Sequence, residues 1–343
     1  MKIGLVGYQS TGKSAAFQLL TGVAPDISKA HTGQLGVAIL PDRRFDGLVQ
    51  LYKPKKLSPA KIELFDTPGL SRESGEGNSS KISVVREANA LVHVIGSFSG
   101  SDALADARAF EDDLILADLQ VLQNRLERLK ASIGKNRPDK EECQKELTLV
   151  EPIEAALSAG KLLRSMEFSA DQEKVTKSFS LLTRKQQILL LNTADASVDA
   201  ALIGKLTAQG YSVVSAPLGL EVEMDALDDA DRATFASEFG ITEPSKNRVL
   251  RAIFEVTEQI TFFTSDEKEV HAWLLKKNST ALDAAGTIHT DLARGFIRAE
   301  VMAVDDLLRL GSEREVKAAN LYHLVGKEYI VRDGDELVIR SGV

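Results

Sequence analysis

The sequence predicts a doubly wound α/β domain, interrupted by a helical hairpin and followed by a small α+β module. Three observations carry this reading. Four short β-branched or leucine-rich runs, residues 2–6, 61–65, 90–95 and 187–191, are apolar nearly throughout. Parallel strands covered on both faces must look like this. Between the third and fourth runs the apolar period changes to that of a helix, and after about residue 260 it changes again to short strand-like runs.

A fifth strand run, Tyr211 to Val214, follows an amphipathic stretch from Val198 to Gln209 that Gly210 ends. Strands alternating with helices place the chain in the doubly wound class. In the inserted region, Leu119, Leu122, Leu126, Leu129 and Ile133 recur three and four residues apart, a heptad seam. Gly134 to Pro138 breaks that helix, and Leu147, Val150, Ile153 and Leu157 resume the period. Two helices joined by a short Gly/Pro turn fold back as an antiparallel coiled-coil hairpin, a lever or docking arm; a packed helical subdomain is the plainer alternative. The C-terminal runs are Ile260–Thr264, Tyr329–Arg332 and Glu336–Ile339, around a helix at 279–285. Asp333-Gly334 between the last two reads as a hairpin turn. The expected domains are 1–100 with 186–258 for the sheet, 101–185 for the helical insertion and 259–343 for the terminal module.

Composition narrows the function. A chain of 343 residues with 43% apolar content can fill more than one core. With 50 acidic against 42 basic residues, the net charge of -8 does not favour coating a long polyanion, although a local basic face remains open. Cys143 is the only cysteine, so no intramolecular disulfide forms, in keeping with a reducing compartment. The start MKIGLVGYQS lacks a signal-peptide run, and nowhere is there an uncharged apolar stretch of spanning length. The expectation is a cytoplasmic, monomeric protein that does not enter the membrane.

The chemistry is concentrated after the first strand run. Gly7-Tyr8-Gln9-Ser10-Thr11-Gly12-Lys13-Ser14, followed by Ala15, matches GxxxxGK[ST] between a strand and a helix. In that context backbone amides and the helix N-terminus cradle phosphates. Lys13 is expected to reach the β- and γ-phosphates, and the Ser14 hydroxyl to ligate Mg²⁺. The run Lys61 to Asp66 is a strand ending in an acid, followed by Thr67-Pro68-Gly69. Asp66 is the second Mg²⁺ residue, and the Gly69 N–H is placed to sense the γ-phosphate, so that its loss frees the loop. Leu70 stands where many such enzymes carry the glutamine that orients water, which predicts slow hydrolysis. In the loop 25–36, Thr32 is the candidate to close over Mg²⁺, with Ser28 and Thr21 less well placed and a solvated threonine as the plain alternative.

Asn192-Thr193-Ala194-Asp195 follows the strand at 188–191, where an Asn-Lys-x-Asp base-recognition motif belongs. Asp195 can accept two hydrogen bonds from a guanine edge while Asn192 ties the loops together; as an alternative, Asp195 merely caps a helix. Thr193 replaces the lysine whose stem covers the base, and Ser215-Ala216 supplies the last small-residue loop.

On these residues the chain resembles the YchF (EngD) branch of the Obg-related P-loop NTPases, over nearly its whole length. Pro41-Asp42-Arg43, Lys53-Pro54-Lys55-Lys56, Pro59-Ala60 and Gly75-Glu76-Gly77-Asn78 match it. So do Ile260-Thr261-Phe262-Phe263-Thr264, Ala272-Trp273, Ile288 to Asp291, Gly295 to Glu300, Gly326-Lys327 and Asp333-Gly334-Asp335. The resemblance implies a G domain with a coiled-coil insertion, a C-terminal TGS domain and association with the ribosome or RNA through those two parts. It also implies a hydrophobic residue in place of the catalytic glutamine, here Leu70. The branch carries Asn-x-x-Glu and prefers ATP, whereas Asp195 restores the guanine-type acid, so GTP and ATP both stay open. Ser10 stands for the branch's usual Asn, Ser14-Ala15 for its Ser-Thr, Thr32 is shifted by two residues, and the segment after Leu70 is shortened.

Other residues read more plainly. His289 with Asp291 lacks a third ligand and suits packing in the terminal module. His31, beside Thr32, could approach the phosphates, with a solvated loop histidine as the plainer alternative. Cys143 has no sequence sign of a lowered thiol pKa, and Trp273 suits a core more than a base-stacking platform.

Overall fold

The computed structural model describes residues 1–72, 78, 81–98, 102–134, 139–197 and 199–342. The expected hairpin turn at 135–138 and the motif residues Gly75 to Gly77 lie outside the described residues. Two compact units partition the chain: residues 2–36 with 63–249, and residues 1, 37–62 and 250–343. In chain order the elements that matter are β1 (Lys2–Val6), α1 (Lys13–Thr21), β2 (Gln34–Ile39), α2 (Arg43–Tyr52), β3 (Lys56–Ser58) and β4 (Lys61–Asp66). They continue with β5 (Ala90–Gly96), α3 (Ala103–Ile133), α4 (Lys140–Ser158), β6 (Gln186–Asn192) and β7 (Ser212–Ala216). The C-terminal strands are β8 (Gln259–Ser265), β9 (Glu269–Lys276), β10 (Phe296–Ala303), β11 (His323–Val325) and β12 (Asp335–Ser341).

The first sheet has the order β2-β4-β1-β5-β6-β7. Strands β4, β1, β5, β6 and β7 are parallel neighbours, as their apolar runs require. Every residue of β5 is buried. The register brings the carboxyl ends of these strands level: Leu5 pairs with Asp66, Val6 with His93, Gly96 with Asn192 and Asn192 with Ala216. Ligands of open α/β sheets bind at this edge, and each candidate loop leaves the sheet here. The expected amphipathic helix after β6 forms over Ala200–Ala208.

The inserted helices form as the heptad pattern predicts. Leu122, Leu126 and Leu129 of α3 are buried with Leu147, Val150, Ile153 and Leu157 of α4 in one apolar cluster, and Leu119 and Ile133 pack against it partly exposed. Arg125 and Glu146 clamp the pair with two hydrogen bonds of 2.6 and 2.7 Å. Cys143 is partly buried against this cluster, and burial, then Asp139 and Glu146, raise its thiol pKa. That environment opposes a reactive thiolate.

In the second unit the sheet order is β11-β10-β12-β8-β9-β3. Here one expectation fails. Tyr329–Arg332 is not a strand, and Asp333-Gly334 does not turn a hairpin; β12 runs antiparallel to β10 and parallel to β8. The main chain at 329–331 bonds instead to Ala281 and Ser279, at the start of the helix Ala281–Ile288. Asp333 is occupied too, since its Oδ1 accepts from the Thr261 N–H at 2.8 Å and its Oδ2 from Arg44 at 2.7 Å. Trp273 donates to Thr264 Oγ1 at 3.0 Å, stacks on His271 within the sheet and packs partly buried against the core of this unit. His289 caps its neighbouring turn through the Asp291 N–H at 3.2 Å, on the surface.

Candidate nucleotide site

The loop from Gly7 to Ser14 turns sharply between β1 and α1. Gly7 has φ 143°, and a Cβ there would lie 2.4 Å from the Val94 carbonyl oxygen. Gly12 has φ 100°, and its Cβ would lie 2.2 Å from Asn192 Nδ2. Only glycine fits either position. Ser10, by contrast, holds φ 62° with a side chain, a strained choice that loop closure has to sustain. Thr11 is buried and donates to the Tyr8 carbonyl at 3.0 Å.

Lys13 is 7% exposed, and its ammonium donates to the Tyr8 carbonyl at 2.7 Å. Burial pushes its pKa down to about 8, with Asp66 raising it and Lys81 lowering it further. Ser14 Oγ donates to Asp66 Oδ2 at 2.9 Å, so two of the three expected Mg²⁺ residues meet across 52 positions of sequence. Among the described residues no hydrogen-bond partner reaches the buried Asp66 Oδ1, and burial raises this carboxyl's pKa. An orphaned carboxylate oxygen beside a hydroxyl fits a divalent cation, and Mg²⁺ commonly takes only one or two protein ligands plus phosphate. No group of three or more His, Cys, Asp or Glu residues that could hold a metal forms among the described residues. The remaining ligands would therefore come from nucleotide and water.

These groups line a cavity of about 590 Å³, with Gln9, Ser10, Lys13, Ser14, Asp66, Gly69 and Lys81 in its wall. That volume is in the range of ligand pockets. The loop after β4 is laced to the phosphate loop: the Gln9 N–H donates to the Leu70 carbonyl at 3.0 Å, and the Leu70 N–H to the Gly7 carbonyl at 3.1 Å.

Asn192 bridges two loops through its side-chain amide. Its Nδ2 donates to the Thr11 carbonyl at 3.1 Å, and its Oδ1 accepts from the Leu218 N–H at 3.2 Å. The Thr193 N–H donates to the Ala216 carbonyl at 3.0 Å, and the Ser215 carbonyl accepts from Arg248 at 3.0 Å, which fixes the last loop. Asp195 is exposed, and its Oδ1 accepts from the Ser197 N–H at 2.8 Å and from the Ser197 hydroxyl. These bonds hold its carboxyl pKa below the usual value.

The family model described as "50S ribosome-binding GTPase" matches residues 2–125, and the C-terminal YchF GTPase model, described as "Protein of unknown function (DUF933)", matches residues 259–341. The chain is 32% identical to a protein of Haemophilus influenzae named "Ribosome-binding ATPase YchF", covering 100% of this chain and 99% of that protein. It is 31% identical to the Bacillus subtilis protein of the same name, over 99% of each. The chain belongs to the YchF family. It is also 30% identical to the "Obg-like ATPase 1" of Oryza sativa, covering 92% of that protein. Among solved structures, that of the Schizosaccharomyces pombe YchF GTPase superposes with a TM-score of 0.83 at 26% identity, over 99% of this chain.

Within this YchF-family site some expected residues are brought together and others are not. Gln9, Ser10, Lys13, Ser14, Asp66 and Gly69 share one cavity, whereas Ala15 lies within α1, outside its lining. Thr32 is exposed, its N–H donating to the Lys29 carbonyl at 3.1 Å, and it does not line the cavity. The stretch before it coils into a short 3-10 turn at Ile27–Lys29, capped by Asp26, which presents Lys29, Ala30 and His31 instead. Leu70 is 3% exposed and packs with Tyr8, Ile82, Phe110 and Leu114. Its side chain therefore faces the core.

Sequence reading passed over two residues. Lys81 lines the cavity and donates to the Gly69 carbonyl at 3.1 Å. Gln34 also lines it; Gln34 is buried, accepts from the Asp26 N–H at 2.7 Å and donates to the Ala24 carbonyl at 3.1 Å, which pins the loop ahead of it. Neither has a motif spacing; a lone lysine or glutamine carries no sequence signal.

Proposed function

We propose that this chain binds MgATP and MgGTP and hydrolyses them slowly, switching the loops around Gly69 and docking on the ribosome in one nucleotide state. The observation that carries this reading is the Ser14–Asp66 pair at 2.9 Å, with an unpartnered Asp66 oxygen, beside the buried Lys13 ammonium. Ser14 and Asp66 would hold Mg²⁺, which when bound neutralises phosphate charge. Lys13 grips the β- and γ-phosphates. Asn192 keeps the phosphate loop and the base loop in register, and the Gly69 N–H senses the terminal phosphate. Slow turnover follows from Leu70, because a leucine offers no hydrogen bond to an attacking water.

Ribosome docking is supported by the names of the relatives, and we assign it to the α3–α4 hairpin and the C-terminal TGS-like module. A second reading, a non-catalytic nucleotide-dependent adaptor, is favoured by the same Leu70. For the base, the exposed Asp195 stays hydrated, and a hydrated carboxylate discriminates weakly, so both purines are accepted.

Equilibrium titration with ATP and GTP, with phosphate release followed in parallel, tests the reading. Binding with slow release supports the enzyme, and binding without release supports the adaptor. A preference for one purine of tenfold or more in the wild type would overturn the dual-base assignment.

A further inference from the structure

Two ammonium groups flank Gly69. Lys81 Nζ lies 3.1 Å from the Gly69 carbonyl oxygen, and Lys13 Nζ lies 3.3 Å from where a Cβ on Gly69 would stand. Both line the 590 Å³ cavity, where the Asp66 carboxylate raises the Lys13 pKa. Burial lowers the Lys13 pKa first, Asp66 opposes this, and Lys81 adds to it. Like charges held this way favour an anion between them. Among the described residues Lys81 forms no ion pair, and its ammonium donates to a neutral carbonyl.

The glutamine that would otherwise orient the attacking water is missing. Leu70 turns into the core beside Ile82, and Lys81 comes from the same stretch of chain as Ile82. Its flexible four-carbon stem and three rotatable donors allow the ammonium to leave the carbonyl for a phosphate oxygen.

We infer that Lys81 is a second phosphate-binding cation, contacting the terminal phosphate of a bound nucleoside triphosphate and stabilising the charge that grows there during hydrolysis. In that step water oxygen bonds to the γ-phosphorus, and the bond to the β–γ bridging oxygen breaks. The bridging oxygen stays on the nucleoside diphosphate, one water proton leaves to solvent and the other remains on the phosphate, giving nucleoside diphosphate and inorganic phosphate. A positive group in this place is the internal counterpart of a cation supplied in trans. The inference rests on the proposed nucleotide reading and adds a residue outside every motif of the phosphate site.

The test uses the full chain with Lys81→Met and Lys81→Arg, titrated with ATP and with ADP in Mg²⁺, alongside single-turnover phosphate release. Lys81→Met is expected to weaken ATP binding about tenfold, leave ADP within about twofold and slow the chemical step about a hundredfold. Lys81→Arg restores most of both effects, which a purely structural role would not produce in that pattern. Equal loss of ATP and ADP binding, or a chemical step unchanged in Lys81→Met, overturns the assignment. A wild type that binds neither nucleotide overturns the nucleotide reading as well, so the two failures are distinct.

Discussion

Asn192 Nδ2 donates to the main-chain carbonyl of Thr11 at 3.1 Å, across 181 positions of sequence. The same side chain fills the space above Gly12 and accepts from the Leu218 N–H, so one amide joins the phosphate loop to the two loops at the ends of β6 and β7. Asn192→Ala removes both bonds and leaves buried backbone groups unpaired, at a cost of about 1–3 kcal/mol. Affinity for ATP and GTP should fall together, by about tenfold or more, with little change in their ratio. Isothermal titration with each nucleotide checks this; unchanged affinity would mean the loops hold their register without the amide.

Nucleotide binding should weaken in alkaline solution. In the free protein the Lys13 pKa is pushed down to about 8, so the ammonium is largely charged below that pH and neutral above it. A phosphate needs the charged form, so affinity falls as pH rises through about 8. The loss is about tenfold between pH 7 and pH 9 if the bound lysine stays protonated. Lys13→Arg, charged throughout, should show a flat profile. A flat profile in the wild type would contradict the assignment.

Leu70→Gln should destabilise the protein without speeding hydrolysis. The side chain lies among Tyr8, Ile82, Phe110 and Leu114, so the change buries an amide among aliphatic groups and two aromatic rings, the Tyr8 hydroxyl being already bonded to Asp113. The expected cost is about 2–3 kcal/mol. Thermal unfolding should shift down, and phosphate release should stay within about twofold of wild type. A gain of tenfold in release would show that the residue faces the phosphates.

Glu336 carries a pH dependence of its own. The side chain is fully buried, and burial raises its pKa from 4.5 to about 7, with the Ser265 hydroxyl offsetting this in part and Glu313 adding to it. A carboxyl whose folded pKa is raised holds its proton more tightly in the native state. Its contribution is therefore complete below about pH 4.5 and is lost as pH rises through about 7. The loss amounts to about 3 kcal/mol. Urea unfolding followed by Trp273, the only tryptophan and a residue of the same unit, should show this loss in the wild type. Glu336→Gln should not show it. Identical pH profiles for the two proteins would contradict the raised pKa.

Most of the sheet and the phosphate loop were legible because they are local. The runs at 2–6 and 187–191 had to be buried strands, and GxxxxGK[ST] fixes loop geometry within eight residues. The hairpin seam was legible for the same reason, its period surviving in Leu122, Leu126 and Leu129. What failed depends on partners remote in sequence. Tyr329–Arg332 has strand-like composition, yet β12 takes the places beside β10 and β8, and only then is the run left to bond to the helix at 281–288. Thr32 stands out in the sequence by its residue type, whereas the 3-10 turn before it presents Lys29, Ala30 and His31 to the cavity. Lys81 has no spacing that ties it to Gly69, and only the folded chain brings its ammonium to that carbonyl.

The most direct measurement of the central claim, triphosphate binding at the Lys13 loop, is fluorescence titration of labelled ATP and GTP against wild type and Lys13→Ala in Mg²⁺. Lys13 is the buried ammonium of the cavity, and its removal should leave the fold intact, because its partner is a carbonyl of the same loop. The account predicts saturable wild-type binding of both nucleotides, lost by at least a hundredfold in Lys13→Ala with unchanged circular dichroism. Wild-type affinity retained by the folded Lys13→Ala protein would contradict it.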